Sequence, residues 1–409
     1  MSNGRIGVFG GGLAGCCTAL ALAKQGMDVD LIERADDVMQ GASLHNEGKL
    51  HLGYVYAADR LGLTHELMAR GSLSFLGILE YLTGAKIADI RRSSPFMYAV
   101  PHDSGLNVPA IDSHFKRVDA TIQRILTEDE PFAQASAPAP SWRLGDTQEQ
   151  AQLGTAAVQA SFQTDEFSVD TEQVASLLRS AVQASDRIRL RLGCQVLSAS
   201  HADQGGIDVR CLHKNEPVQM HYRYGINCTW EDRLRLDASL GIKPTRPWMM
   251  RYKAALTLQL KHPITATDLP SVTLISGPYG DIVNHGEKKI YASWYPLCKL
   301  AETHDIDGQA LHAIAQARLW PDLAQDSLKA LERFVPGLAI ALRETESVSV
   351  GGGVIFAWGQ TDIDDPKSGL HERHAIGATF HKDWASMDTG KYCMAPYYAL
   401  ALARTLPVN

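Results

Sequence analysis

Arg5-Ile6-Gly7-Val8-Phe9-Gly10-Gly11-Gly12-Leu13-Ala14-Gly15 opens the chain, and Val29-Asp30-Leu31-Ile32-Glu33 closes the unit it begins. An apolar strand runs into a glycine turn, an Ala/Leu-rich helix continues to Gln25, and a second strand ends in an acid. The GxGxxG spacing alone says little. Placed between a strand and a helix, with an acid after the next strand, it predicts a dinucleotide site. Gly10 permits the tight turn, and Gly12 lets a pyrophosphate approach the backbone where Leu13 and Ala14 start the helix. Gly15 lets helix and strand pack closely. The helix N-terminus then offers unpaired N–H groups to phosphate. Glu33, followed by Arg34, stands where a carboxylate accepts the ribose hydroxyls of an adenosine. An acid there disfavours a 2′-phosphate, which leaves FAD or NAD.

Working outward, 409 residues exceed one ordinary domain, and 45% hydrophobic with 21% charged residues describes a globular chain with ample core. The net charge of −7 carries no nucleic-acid footprint and no polybasic membrane arm. Seven cysteines without a CxxC pair argue against a disulfide framework and a zinc site, and point to a reducing compartment. The apolar N-terminus has no cationic region ahead of an unbroken apolar run, so it does not read as a signal peptide. No stretch is apolar enough for a membrane span. The expected location is the cytoplasm.

Leu63, Leu67, Leu73, Leu76, Leu79 and Leu82 predict a helix within Ala57–Gly84, and Ala85–Pro101 reads as strands. Val118–Leu126 is a helix, and Ser136-Ala137-Pro138-Ala139-Pro140 a loop. Ser168-Val169-Asp170 caps a helix that leads to short strands at Ile188–Leu192, Gln195–Ser198 and Ile207–Leu212. Tyr224–Thr229 reads as a buried strand returning to the nucleotide fold. Strands at Leu256–Leu260, Val272–Ile275 and Lys289–Trp294 suggest a mostly antiparallel second sheet. A helical stretch over Gly308–Phe334 follows, then strands near Ser347–Ile355 and Ala375–Ala378 and a helix over Ala395–Arg404. The expected fold is α/β (α+β overall). A Rossmann-like nucleotide domain would be assembled from 1–84, 160–235 and 340–409, and a substrate domain from 85–159 and 236–339.

With these pieces in order, the chain resembles the FAD-dependent D-amino-acid-oxidase and glycine-oxidase superfamily. The residues that carry the resemblance are the glycine turn with Glu33, Gly41-Ala42-Ser43-Leu44-His45-Asn46-Glu47-Gly48, the Ser168 helix start, Ile226-Asn227-Cys228, and Gly390-Lys391. It implies FAD, and hydride removal from a carbon bearing an amine or hydroxyl to flavin N5. The chain departs from the family where Trp230 stands in place of a usual glycine, and where the C-terminal glycine-rich turn is reduced to Asp388-Thr389-Gly390-Lys391. Ser43-Leu44-His45 is similar to the dimethylglycine- and sarcosine-dehydrogenase branch, in which a histidine at that place carries the flavin covalently. Lys49-Leu50-His51-Leu52-Gly53 and Gly390-Lys391 look like FAD-dependent glycerol-3-phosphate dehydrogenase.

The cofactor-binding set is therefore Gly10, Gly12, Leu13, Ala14, Gly15, Glu33, Arg34, Ser43, His45, Asn46, Gly48, Val196, Gly390 and Lys391. A flavin that accepts hydride gains negative charge, and Lys391 ahead of a helix offers a cation and a helix N-terminus to meet it. It could equally be a solvated lysine. Arg251 and Lys253 alternate along a strand and share a face, either anchoring an anionic substrate or facing water. Tyr54 and Tyr56 share a face and either shape the pocket or fill core. His51 and His381 are the candidate bases if an alcohol is oxidised. No hydrolase triad or zinc motif appears.

The expectation is an FAD-dependent oxidase or dehydrogenase acting on the C–N bond of a small amine or amino acid. Oxygen or another electron acceptor would complete the cycle, with no nucleic-acid partner and no membrane span. A hydroxy-acid or polyol-phosphate dehydrogenase is the first alternative, and a flavin monooxygenase or noncatalytic FAD-binding partner the second.

Overall fold

A computed structural model describes residues 4–59, 61–128, 130–134, 141–363, 365 and 367–406. The Ser136–Pro140 loop lies outside them. Strand β1 (Ile6–Phe9), helix α1 (Leu13–Lys24) and strand β2 (Val29–Ile32) form the expected unit, with β1 and β2 parallel and Phe9 opposite Ile32. Both strands are buried along their whole length at the centre of a parallel sheet, including the one charged residue among them, Asp30. A Cβ on Gly15 would stand 1.8 Å from the Gly10 carbonyl oxygen, so only glycine lets α1 lie this close to the turn.

This unit sits in a six-stranded sheet ordered Gly377–His381, Trp384–Asp388, Tyr224–Asn227, β1, β2, Ile188–Arg191. All neighbours are parallel except the first pair, a hairpin at the edge. Three chain segments distant in sequence thus build one nucleotide-binding sheet. A three-stranded meander, Cys194–His201, Ile207–His213 and Glu216–Tyr222, flanks it.

A nine-stranded sheet makes the second layer, mostly antiparallel, with Ser271–Leu274 and Phe96–Pro101 its parallel pair. Its longest pairing corrects the expected boundaries. Thr345–Trp358, assigned by sequence to the nucleotide portion, runs antiparallel to Trp248–Leu260 from Trp358 opposite Trp248 to Thr345 opposite Leu260. The edge of that long strand is the hydrogen-bonding partner the segment finds. Val158–Thr164 likewise belongs to the second sheet.

Helix boundaries moved for local reasons. Helix α2 (Leu63–Thr83) starts after Gly62 at φ +68, because Tyr54–Tyr56 form a separate 3-10 turn. Val108–Thr127 begins ten residues before the expected Val118, capped by Asn107 with Pro109 in the first turn. The 308–334 stretch splits into Ala310–Ala317 and Leu323–Glu332, with Pro321 between them. None of the helices among the described residues is long and apolar enough to cross a membrane.

Asp30 pins the first sheet from inside. Its buried carboxylate accepts from Arg189 and Arg191 at 2.7 Å and pairs with Arg5. Burial alone would raise its pKa; the three guanidinium groups hold it below the usual carboxylate value. A carboxylate depressed in the fold contributes stability that is complete above its unfolded pKa of about 3.9 and is lost as pH falls through the folded value. Thermal melts should therefore show a midpoint falling below about pH 4, and Asp30→Asn should lower the neutral midpoint and flatten that acid limb.

Candidate functional site

One cavity of about 700 Å³ runs from the glycine turn to the second sheet. At its first end Gly10 holds φ +98, and Gly12 stands at the N-cap of α1 with no side chain of its own to accept from the helix. Ser43 Oγ accepts from Leu13 N at 3.0 Å, which brings the 41–48 loop against the start of α1. Gly12, Leu13 and Ala14 line this end with Glu33, Arg34 and Val196. Glu33 accepts from Gly11 N at 2.6 Å and Ala35 N at 2.9 Å, so its carboxylate is fixed by backbone. Arg34 pairs with Glu231 and Asp232.

Asn46 organises the loop. Its Nδ2 donates to the Ala42 and Ser43 carbonyls and its Oδ1 accepts from Gly48 N at 2.8 Å. Gly48, at φ +67, approaches Val169 so closely that a Cβ would sit 2.1 Å from that carbonyl oxygen. Ser43, His45 and Asn46 line the cavity, whereas Gly15 and Gly48 shape its walls without facing it. His45 stands against Gly351, where a Cβ would meet its Nδ1 at 2.7 Å. Burial lowers the His45 pKa.

The far end gathers charge. His51 Nε2 lies 3.4 Å from Glu47 Oε1, and its Nδ1 has no hydrogen-bond partner among the described residues. Burial, reinforced by the Lys391 ammonium, lowers the His51 pKa, which makes the imidazole neutral at pH 7. Burial would raise Glu47, but His51, Lys253 and Lys391 hold it far below the carboxylate range. Lys391 follows Gly390 at φ +61, just ahead of the Ala395–Thr405 helix. Burial pushes it down to about 8, with Arg373 and Lys253 adding to the shift and Glu47 opposing it. Arg373 donates to the Gly390 carbonyl at 3.2 Å.

Arg251 and Lys253 face the same cavity from the Trp248–Leu260 strand. Arg251 is not solvated: it is 2% exposed and donates to Tyr295 Oη at 2.6 Å and Asp362 Oδ1 at 2.7 Å. Lys299 also pairs with Asp362, at 2.6 Å.

Two expected residues are elsewhere. Tyr54 is buried against Phe115, ring centroids 4.6 Å apart, with its hydroxyl on Ser141. In a 3-10 turn, unlike a strand, residues 54 and 56 do not share a face, and only Tyr56 lines the cavity. His381 ends an edge strand opposite Trp384, half-buried and outside the cavity lining. The edge hairpin turns back at Lys382, carrying His381 to the outer end of the sheet.

Glu47, Lys49, Glu166 and Arg373 were not singled out by sequence. Lys49 is buried with Nζ 3.1 Å from Glu166 Oε1, bonded to Thr273 Oγ1, and 3.8 Å from the Phe96 ring centroid. Glu166 also accepts from Leu52 N at 2.6 Å and from the Tyr98 hydroxyl. Trp230, in place of the family's glycine, adopts the left-handed φ of +56 and donates Nε1 to the Val354 carbonyl at 2.6 Å. That bond and an edge contact with Phe356 hold a conformation glycine would take without cost.

Residues 5–354 match the family described as FAD dependent oxidoreductase. The chain belongs to that family. It is an FAD-dependent oxidoreductase. Over 108 residues it is 38% identical to the tRNA 5-methylaminomethyl-2-thiouridine biosynthesis bifunctional protein of Ectopseudomonas mendocina. That match covers 24% of this chain and 16% of the relative, so the chain spans only a small part of the curated protein it resembles. Among solved structures, glycine oxidase from Geobacillus kaustophilus aligns with a TM-score of 0.67 at 15% identity, over 98% of this chain and 93% of that one. The L-alpha-glycerophosphate oxidase of Mycoplasma pneumoniae, solved with FAD bound, aligns at 0.65 and 14% identity over 100% and 96%. At these identities the likeness is one of fold.

Removing one partner of a buried ion pair strands the other charge, at a cost of about 3–5 kcal/mol. Lys49→Met should therefore lower the denaturant midpoint sharply, while Lys49→Met with Glu166→Gln should recover much of the loss. Equal stability of Lys49→Met and the parent chain would show that Glu166 does not depend on Lys49.

Proposed function

We propose that this enzyme removes a hydride from the carbon of a C–N bond in a small amine or amino acid carrying an anionic group. The observation that carries the reading is His51: a buried, neutral imidazole bonded to Glu47, in the same wall as Arg251, Lys253 and Lys391.

The glycine turn fits the cofactor. A helix start whose N-cap is a glycine, with backbone N–H groups beside Gly12 and the Ser43 hydroxyl at Leu13, suits a pyrophosphate, and Glu33 suits a ribose. Gly10, Gly12, Leu13, Ala14, Glu33, Arg34, Ser43, His45, Asn46, Val196, Gly390 and Lys391 would hold it, with Gly15 and Gly48 permitting the close backbone approaches. FAD supplies the hydride acceptor. Lys391 contributes positive charge at the Gly390 turn. Arg251 and Lys253 draw in the anionic substrate, and the cations around it favour a neutral amine over an ammonium. His51 takes the proton the substrate must lose at its unpartnered Nδ1, and Glu47, which faces Nε2–H, stabilises the imidazolium that results. The 1–84, 165–235 and 340–344 segments with the C-terminal hairpin and helix serve the cofactor, and the second sheet serves the substrate. Oxygen or another acceptor reoxidises the enzyme.

A second reading, oxidation of a hydroxy acid or polyol phosphate, draws on the same base. An alcohol needs a proton acceptor throughout the step, which a neutral His51 provides.

Anaerobic mixing of the FAD-loaded enzyme with substrate, followed by flavin absorbance, tests these roles. The bleaching rate should trace a bell: an acid limb below the ordinary histidine value, where His51 is protonated, and an alkaline limb near 8, where Lys391 loses its charge. His51→Asn should slow bleaching by about 10²–10⁴. Recovery of that loss at high pH favours the amine, which can then arrive neutral; persistence of the loss favours the alcohol. Unchanged bleaching in His51→Asn contradicts the assigned base. Acid precipitation should leave yellow flavin in the supernatant; flavin kept by the pellet would make His45 a covalent anchor.

A further inference from the structure

Arg251 uses only part of its guanidinium. Nη1 serves Tyr295 and Asp362, but Nε has no hydrogen-bond partner among the described residues, although the side chain is 2% exposed. The Tyr56 hydroxyl, in the same cavity, is also buried and unpartnered. Buried donors of this kind are costly unless something fills them. Arg373 completes the group. It has no carboxylate partner among the described residues, bonding only to the Leu370 and Gly390 carbonyls through its guanidinium, and Tyr56 and Arg251 both act on its charge.

A second cation stands apart from this trio. Lys253 is two residues along the strand from Arg251 and on the same face, about 7 Å away at the ordinary strand rise. Its ammonium has no hydrogen bond or ion pair among the described residues, and it acts on Glu47 at longer range. The remaining carboxylates that line this region are engaged elsewhere. Asp59 accepts from the N–H groups of Leu61 and Thr64, and Asp281 accepts from Thr273.

We propose that the substrate carries two anionic groups, one taken by Arg251 and Arg373 with Tyr56, the other by Lys253. This inference rests on the reading of the cavity as a substrate site, and it narrows the class to dicarboxylates or phosphorylated small acids. A monoanion satisfies one cluster and leaves the other without an anionic partner. A dianion of four or five backbone atoms reaches both.

Calorimetric titration of the FAD-loaded enzyme with non-oxidisable probes reads this without turnover. Glutarate represents the dicarboxylates, phosphoglycolate the phosphorylated acids, and butyrate the monoanions. At least one dianion should bind about tenfold tighter than butyrate, the margin of one charge-assisted contact. The preferred dianion identifies the second group as carboxylate or phosphate. Arg373→Met should erase the preference, and Arg373→Lys should restore part of it, with FAD content checked in each. Butyrate binding as tightly as both dianions, no binding of either dianion, or a preference that survives Arg373→Met overturns the proposal. A dianion preference in an enzyme whose flavin no amino or hydroxy acid bleaches would leave this inference standing and overturn the proposed reaction instead.

Discussion

The Lys49–Glu166 ion pair is the joint on which the arrangement depends. Lys49 comes from the loop that follows the nucleotide-binding unit, and Glu166 from the connection between the second sheet and the Thr171–Ala184 helix. Around them, Thr273, Phe96 and Tyr98 belong to the second sheet. One pair of charges therefore stitches loop, sheet and helix start together. It also clamps the chain on both sides of His51, since Lys49 precedes it and the Leu52 N–H donates to Glu166. Two fully buried charges are costly to desolvate, and they persist here because each has several polar or aromatic partners. The interaction fixes geometry more than it adds net stability.

Around that joint the cavity divides its electrostatics. The glycine-turn end has a glycine N-cap at a helix start and a carboxylate held by the Gly11 and Ala35 N–H groups. The far end concentrates cations around one carboxylate and one neutral imidazole. A cofactor with a diphosphate at one end and a ring that takes up negative charge at the other matches this polarity along its whole length. On the proposed reading, the same field would draw an anionic substrate and favour its uncharged amine.

The first unit was legible because its signals are close in sequence: Gly15 is demanded by the Gly10 carbonyl five residues before it, and β1 and β2 by short, mostly apolar runs, although the contacts that crowd Gly10 and Gly12 come from Cys228 and Ser43. The cationic wall was half legible. Strand alternation put Arg251 and Lys253 on one face, but which face met the cavity depended on Thr345–Trp358, paired some hundred residues away. Tyr54 failed because a 3-10 turn replaced the strand, and His381 because an edge hairpin carried it outward. Glu166 carries no sequence signal, and Lys49, although it opens a stretch that resembles glycerol-3-phosphate dehydrogenase, has no local partner to mark it as buried until the fold supplies its distant carboxylate.

The central claim is that this cavity uses FAD to take hydride from a small anionic amino or hydroxy acid. The most direct measurement is the visible absorbance of the FAD-loaded enzyme mixed anaerobically with a panel of such acids, without nicotinamide. The account predicts that at least one bleaches the flavin stoichiometrically. Flavin bleached by NADH or NADPH alone, or by nothing in the panel, would contradict it.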